Sequence, residues 1–141
     1  MPPQVEVPFK GPLAVAVGVV VDLLDLAEQF DADPLGIGEV DRGGVTGAVE
    51  AADLMRLKAA ALFDAGQPCG PGANMAKFLG AEAAWQAANA CMDTYGGYGF
   101  CNEYDVERKF RETRLFITAP VTNNLVLACV GQHVLGMPRS Y

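Results

Sequence analysis

From Glu50 onward, apolar and polar positions alternate with helical spacing. Ala51, Leu54, Met55, Ala59 and Leu62 recur three and four residues apart, with Arg56 and Lys58 on the other side, which predicts a helix over 51–63. The run Gly66-Gln-Pro-Cys-Gly-Pro-Gly72 is a turn by composition. A longer helix follows over 75–94, capped by Asn74. Its apolar residues (Phe78, Leu79, Ala83, Trp85, Ala87, Cys91) surround most of the cylinder, so it is expected to be buried on nearly all sides. Gly96-Gly97 ends it, because glycine takes a left-handed C-terminal cap without a steric penalty. A charge-dense helix over 104–115 shows a thin apolar stripe of Val106, Phe110 and Leu115. Pro120 breaks it, and a last helix runs over 122–134 until Gly136 and Pro138. These elements make an all-α fold, an antiparallel helical bundle with short connections. The expected core is Leu54, Leu62, Phe78, Leu79, Trp85, Cys91, Val106, Phe110, Leu125 and Leu127.

Residues 1–48 read differently, rich in Gly, Val, Asp and Pro and poorly periodic. The chain therefore divides into an unassigned leader over 1–48, with spacing that allows a helix over 13–30, and a bundle over 49–141. The apolar stretch 12–21 stops at Asp22, about half the ~20 residues that a membrane-spanning helix needs. Glu6 and the lack of an Ala-x-Ala site argue against a secretory signal. A protein of the cytoplasm with no membrane segment is the expectation.

The 141 residues are 51% hydrophobic, with alanine, the strongest helix former, prominent among them. The formal charge is −7, from 17 acidic residues against 10 Lys and Arg. That balance excludes a non-specific nucleic-acid binder, which needs cations to displace counterions from phosphates. Cys69, Cys91, Cys101 and Cys129 form no Cys-x-x-Cys pair and lie far in sequence from the lone His133, apart from Cys129. No metal site is expected; reduced thiols in a cytosolic chain are.

The residues between Ala90 and Arg114 carry the most specific signal. Gly96-Gly97-Tyr98-Gly99-Phe100 is followed by Glu103-Tyr104, Val106-Glu107-Arg108, Phe110-Arg111 and Arg114. With Met75-Ala76-Lys77 upstream and Leu135-Gly136-Met137-Pro138-Arg139-Ser140-Tyr141 at the end, this pattern resembles the C-terminal helical domain of acyl-CoA dehydrogenases over about 50–141. The resemblance implies an FAD-dependent oxidoreductase of fatty acid metabolism that desaturates acyl-CoA thioesters, assembled as a homo-oligomer, dimer or tetramer. In that family the glycine turn touches the adenine and pyrophosphate end of FAD held by a neighbouring subunit. Carried over, cofactor contact falls to Asp93, Gly96, Gly97, Tyr98, Gly99, Thr122 and Asn124. Independently of any family, three glycines in four positions bring bare backbone N–H groups close to a phosphate or a flat ring, or simply cap a helix.

Three departures qualify the resemblance. The family's commonest catalytic base is the Glu of Tyr-Glu-Gly-Thr, and that motif falls on Ala119-Pro120-Val121-Thr122, so Pro120 stands where the base would be. Some relatives carry the base on an earlier helix, but nothing upstream of Glu50 matches one. Asp93 replaces a common Gln and sets a carboxylate where a pyrophosphate is expected. The N-terminal helical and β-domains that hold the isoalloxazine have no counterpart in the sequence. The chain is thus expected to be inactive alone, with no catalytic residue of its own. Two competing readings remain: a non-catalytic oligomerisation module derived from the family, and a small acidic adaptor whose one acid–base candidate is His133.

Overall fold

A computed structural model describes residues 42–139, with side chains from Gly44 onward. The helix expected over 13–30 lies outside the described residues. Four α-helices follow one another: α1 (Arg42–Asp64), α2 (Gly70–Tyr95), α3 (Val106–Thr118) and α4 (Asn123–His133). Two short 3₁₀ turns, Gly96–Phe100 and Asn102–Tyr104, join α2 to α3.

The long helix α2 is the axis about which the others pack. The start of α1 meets its C-terminal half, where Val45 joins Ala83, Ala84, Ala87, Ala88, Cys91 and Tyr95 in one buried cluster. The far end of α1 meets its start, where a Cβ on Gly72 would stand 3.5 Å from the Ala59 Cβ. The two helices are therefore antiparallel and close, because alanine and glycine line the seam. Helix α3 also runs antiparallel to α2: Tyr104 lies against Tyr95 and Phe110 against Trp85. Helix α4 continues in the direction of α3 along the other half of α2, pairing Asn123 with Lys77 and Cys129 with Asn74. The bundle is thus antiparallel across α2, with α3 and α4 laid end to end on one side. By length and composition Val106–His133 contains a window apolar enough to cross a membrane, but the break at 119–122 divides it between two helices.

Several boundaries and core positions differ from expectation. Helix α2 begins at Gly70, with Cys69 at its N-cap and Pro71 in its first turn, so it absorbs half of the expected Gly66–Gly72 turn. Proline fits there because its missing N–H has no partner to lose. Asn74 is not the cap; its amide donates to the Cys129 sulfur at 3.5 Å. Helix α3 starts at Val106 after Asp105, whose φ of 60° turns the chain. The α4 start is as expected, with the Thr122 hydroxyl accepting the Leu125 N–H at 3.2 Å.

The core is alanine-rich instead of leucine-rich: Ala52, Ala59, Ala76, Ala81, Ala83, Ala84, Ala87 and Ala88 are buried beside Cys91, Val106 and Val126. Leu54 is 65% exposed, and Leu125 and Leu127 are 48% and 50% exposed. Helical geometry explains each. Val45, Ala52 and Ala59 recur every seven residues along α1 and face inward, placing Leu54 about 200° round the helix. On α4 Asn123 and Val126 face inward, so Leu125 and Leu127 flank the contact. Leu62, Phe78, Leu79, Trp85 and Phe110 are half-buried, whereas Cys91 and Val106 are buried as expected.

Candidate cofactor-contact site

The residues expected to touch a cofactor fall into two groups. The first surrounds the end of α2. Tyr95 is buried against the core, and Gly96 reverses the chain with φ 52° while its N–H donates to the Met92 carbonyl. Gly99 folds back onto the last helical turn, where an added Cβ would stand 3.2 Å from Met92 Sδ and 3.4 Å from Tyr95 Cβ. Cβ atoms at Gly96 and Gly97 would meet nothing within 4 Å, so the space over those two residues is open. Beside it Tyr98 is 60% exposed.

Three tyrosines make a ladder beneath this opening. The Tyr95 and Tyr104 rings meet edge to face at 5.7 Å between centroids, and Tyr104 meets Tyr98 the same way at 5.7 Å. Such pairs add roughly 0.5–1.5 kcal/mol beyond the area they bury. Burial raises the Tyr95 phenol's pKa, with Cys91 and Tyr104 adding to the effect. Burial likewise pushes the Cys91 thiol up to about 11, so this cysteine stays protonated and inert. Tyr104 is fixed in turn by the start of α3, where the Asp105 carboxylate accepts hydrogen bonds from Arg108. Those bonds hold the Asp105 carboxyl below its ordinary range.

The second group, Thr122 and Asn124, sits at the start of α4, both residues exposed. The neighbouring Asn123 is only 5% exposed and joins α4 to α2. Its carbonyl oxygen accepts from Lys77 Nζ at 2.6 Å, and its amide donates to Glu82 Oε1 at 2.7 Å. Desolvation lowers the Lys77 pKa, opposed by the charge of Glu82. Because Glu82 lies 14 residues before Gly96 along one helix, the two groups are about 20 Å apart. They cannot grip the same phosphate. Pro120, exposed in a cis Ala119–Pro120 peptide, lies in the break before α4 and offers no acid or base.

The profile of the family described as acyl-CoA dehydrogenase, C-terminal domain, matches residues 44–135. The chain belongs to the acyl-CoA dehydrogenase family. It is 43% identical over 95 residues to the acyl-CoA dehydrogenase FadE12 of Mycobacterium tuberculosis, a match covering 66% of this chain and 24% of that protein. An acyl-CoA dehydrogenase of Bacillus subtilis is 30% identical over 131 residues, 93% of this chain and 30% of the relative. The chain therefore spans about a quarter of the length of the curated relatives it matches. A solved chain described under the electron transferring flavoprotein of Acidaminococcus fermentans superposes with a TM-score of 0.77 at 22% identity, covering 88% of this chain and 35% of that one. At that identity the likeness speaks to the fold alone.

Within this acyl-CoA dehydrogenase domain, two features escaped the sequence. Tyr95 and Tyr104 support Tyr98, although their spacings of three and six residues carry no periodic signal. Asn123 is the polar joint of α2 and α4, a role that needs partners 41 and 46 residues away.

Proposed function

We propose that this chain forms the cofactor-facing C-terminal helical part of an FAD-dependent acyl-CoA dehydrogenase that removes the α and β hydrogens of acyl-CoA thioesters in the cytoplasm. The observation that carries this reading is the open glycine turn flanked by the exposed Tyr98 ring, in a chain that belongs to this family. The turn fits a flat ring: nothing obstructs Gly96 and Gly97, and Tyr98 offers an aromatic surface beside them. FAD supplies the hydride acceptor. In this reading Gly96–Gly99 and Asp93 contact one cofactor, while Thr122 and Asn124, about 20 Å away, serve a different part of the assembly. The chain itself contributes binding and orientation and no base, since Pro120 holds that position. The four free cysteines suit a reducing compartment.

Association with further subunits is part of the proposal. Leu54, Phe63, Leu115, Leu135 and Met137 are large, apolar and exposed on the described bundle. Exposed apolar side chains of this size suit cover by a partner, and two-fold symmetric association is the commonest form such cover takes.

The test is a chimera in which residues 44–135 replace the matching segment of Mycobacterium tuberculosis FadE12. The chimera should purify with flavin absorbance retained through gel filtration, and light scattering should report a dimer or larger. A folded chimera that emerges free of flavin overturns the cofactor reading. The chain by itself, supplied with FAD and butyryl- or octanoyl-CoA, should reduce no electron acceptor. Measurable turnover would defeat the assignment of the base elsewhere.

A further inference from the structure

Helix α1 has small and apolar residues on two opposite faces, and the described residues cover one of them. Val45, Ala52 and Ala59 are buried on the side that meets α2. Two residues after each, and so about 200° round the helix, stand Gly47, Leu54 and Ala61, all exposed. Glu50 and Leu57 fill the intervals, completing an exposed stripe with spacings of three and four residues. Leu54 is 65% exposed and Leu57 43%. A Cβ on Gly47 would meet nothing within 4 Å. A helix with apolar residues on opposite faces suits two neighbours, and α2 is one.

The chain that precedes α1 has the complementary pattern. Residues 1–41 lie outside the described residues, and the chain enters the bundle from them at Arg42, the start of α1. Leu13, Val17, Val20, Leu24 and Ala27 recur at spacings of four and three, with Asp22, Asp25 and Gln29 on the opposite side of a helix over 13–30. Such a helix is about 27 Å long, enough to span the roughly 21 Å from Gly47 to Ala61. Residues 31–41 connect it to α1, and Pro34, Gly36 and Gly38 among them favour a reversal. Packed helices lie about 8–10 Å apart, a gap that this connection spans easily.

We propose that residues 13–30 form a helix that lies antiparallel on the uncovered face of α1, the stripe over 13–27 packed on the stripe over 47–61. The reversal at the connection sets Ala27 over Gly47, Val20 over Leu54 and Leu13 over Ala61. Small residues at 27 and 47 let the helices approach closely near the connection, and Leu13 fills the space above Ala61. Asp22, Asp25 and Gln29 are left facing water. This cover lies within one chain and is independent of the cofactor. Leu54 is then taken by the leader, while Leu115, Leu135 and Met137 remain exposed for subunit association.

The experiment is hydrogen exchange, read by mass spectrometry, on the full chain. Amides over 14–30 should exchange at least about tenfold more slowly than those of the same segment as a free peptide. Leu54→Arg sets a charge under the leader and should abolish that protection, while α2 and α3 stay protected. Val20→Asp should do the same from the leader's side. Leu115→Arg, on α3, should leave the leader protected. Light scattering separates cover within the chain from cover by a second copy: Leu54→Arg should leave the particle mass unchanged. An unprotected leader in the wild-type chain overturns the proposal, as does protection that survives Leu54→Arg in a folded variant. Loss of protection in Leu115→Arg would place the leader on α3 and overturn it too. A fall in mass with Leu54→Arg, with leader exchange unaltered, gives the face to a second copy and has the same consequence. None of these readouts involves flavin, so the cofactor reading stands or falls separately.

Discussion

The two halves of α2 are held by opposite kinds of chemistry. Its C-terminal half is gripped by apolar packing: alanines against Val45 of α1, and Cys91, Tyr95 and Val106 closing the α3 side. Its N-terminal half adds polar contacts to the packing of Ala76, Ala81 and Val126, with Asn123 spanning Lys77 and Glu82, and Asn74 reaching Cys129. Apolar packing tolerates small adjustments of shape but is insensitive to orientation. A buried amide with a donor on one side and an acceptor on the other fixes one register, since a slip leaves a partner desolvated. The half that carries the glycine turn is thus the densely packed one, and the half that carries Thr122 and Asn124 is the one set by hydrogen bonds.

The largest effect that can break this contrast is Trp85→Ala. Its ring meets Phe110 at a 41° tilt with centroids 4.9 Å apart and lies 4.9 Å beneath the Arg114 guanidinium, tying α3 to α2. The loss should be about 2–3 kcal/mol, below the full range for a buried tryptophan because the ring is half-exposed. Thermal unfolding measures it, and near-native stability would mean that α3 is held elsewhere.

Alkaline pH should weaken the same apolar half. The native Cys91 thiol keeps its proton up to about pH 11, whereas the unfolded thiol releases it near its ordinary value of 9.0. Between those values the native state binds more protons, so stability is full below pH 9 and is lost as pH rises toward 11, by as much as about 2 kcal/mol. Tyr95 acts in the same sense at higher pH. Lys77 acts oppositely: its lowered pKa means that the native state sheds a proton first, which relieves a penalty as pH rises toward 10.5. Urea unfolding of Cys91→Ala across pH 8–11 should show a flatter profile than wild type.

Asn123→Ala sharpens the polar side of the comparison. It leaves Lys77 and Glu82 without their shared partner and should cost about 1–2 kcal/mol. Hydrogen exchange should then rise in α4 while α3 stays protected. Equal loosening of both helices would show that the two halves are one cooperative unit.

The smallest expected effect is Arg108→Ala. Arg108 pairs with Asp105 and Glu112 at the surface, and its pKa is raised by those hydrogen bonds. Exposed pairs are screened by water and salt, so the melting temperature should scarcely move.

Helix order, the glycine end of α2, the break at Pro120 and the start of α4 were readable along the chain, because each follows from local backbone preferences of residues adjacent in sequence. The motif from Gly96 to Arg114 identified the family for the same reason: its residues lie within one short stretch. What faced inward was not readable with the same fidelity. Leucines draw attention as core residues, yet alanines fill the α1–α2 seam, since only small side chains allow two helices to approach so closely. Leu54, Leu125 and Leu127 ended outside because neighbours set which helical face turns inward. Likewise, the resemblance implied cofactor contact at Asp93, Gly96, Gly97, Tyr98, Gly99, Thr122 and Asn124 without saying how the two stretches lie in space. The tertiary structure separated them by about 20 Å, since the length of α2 and the polar joint at Asn123 fix where α4 begins.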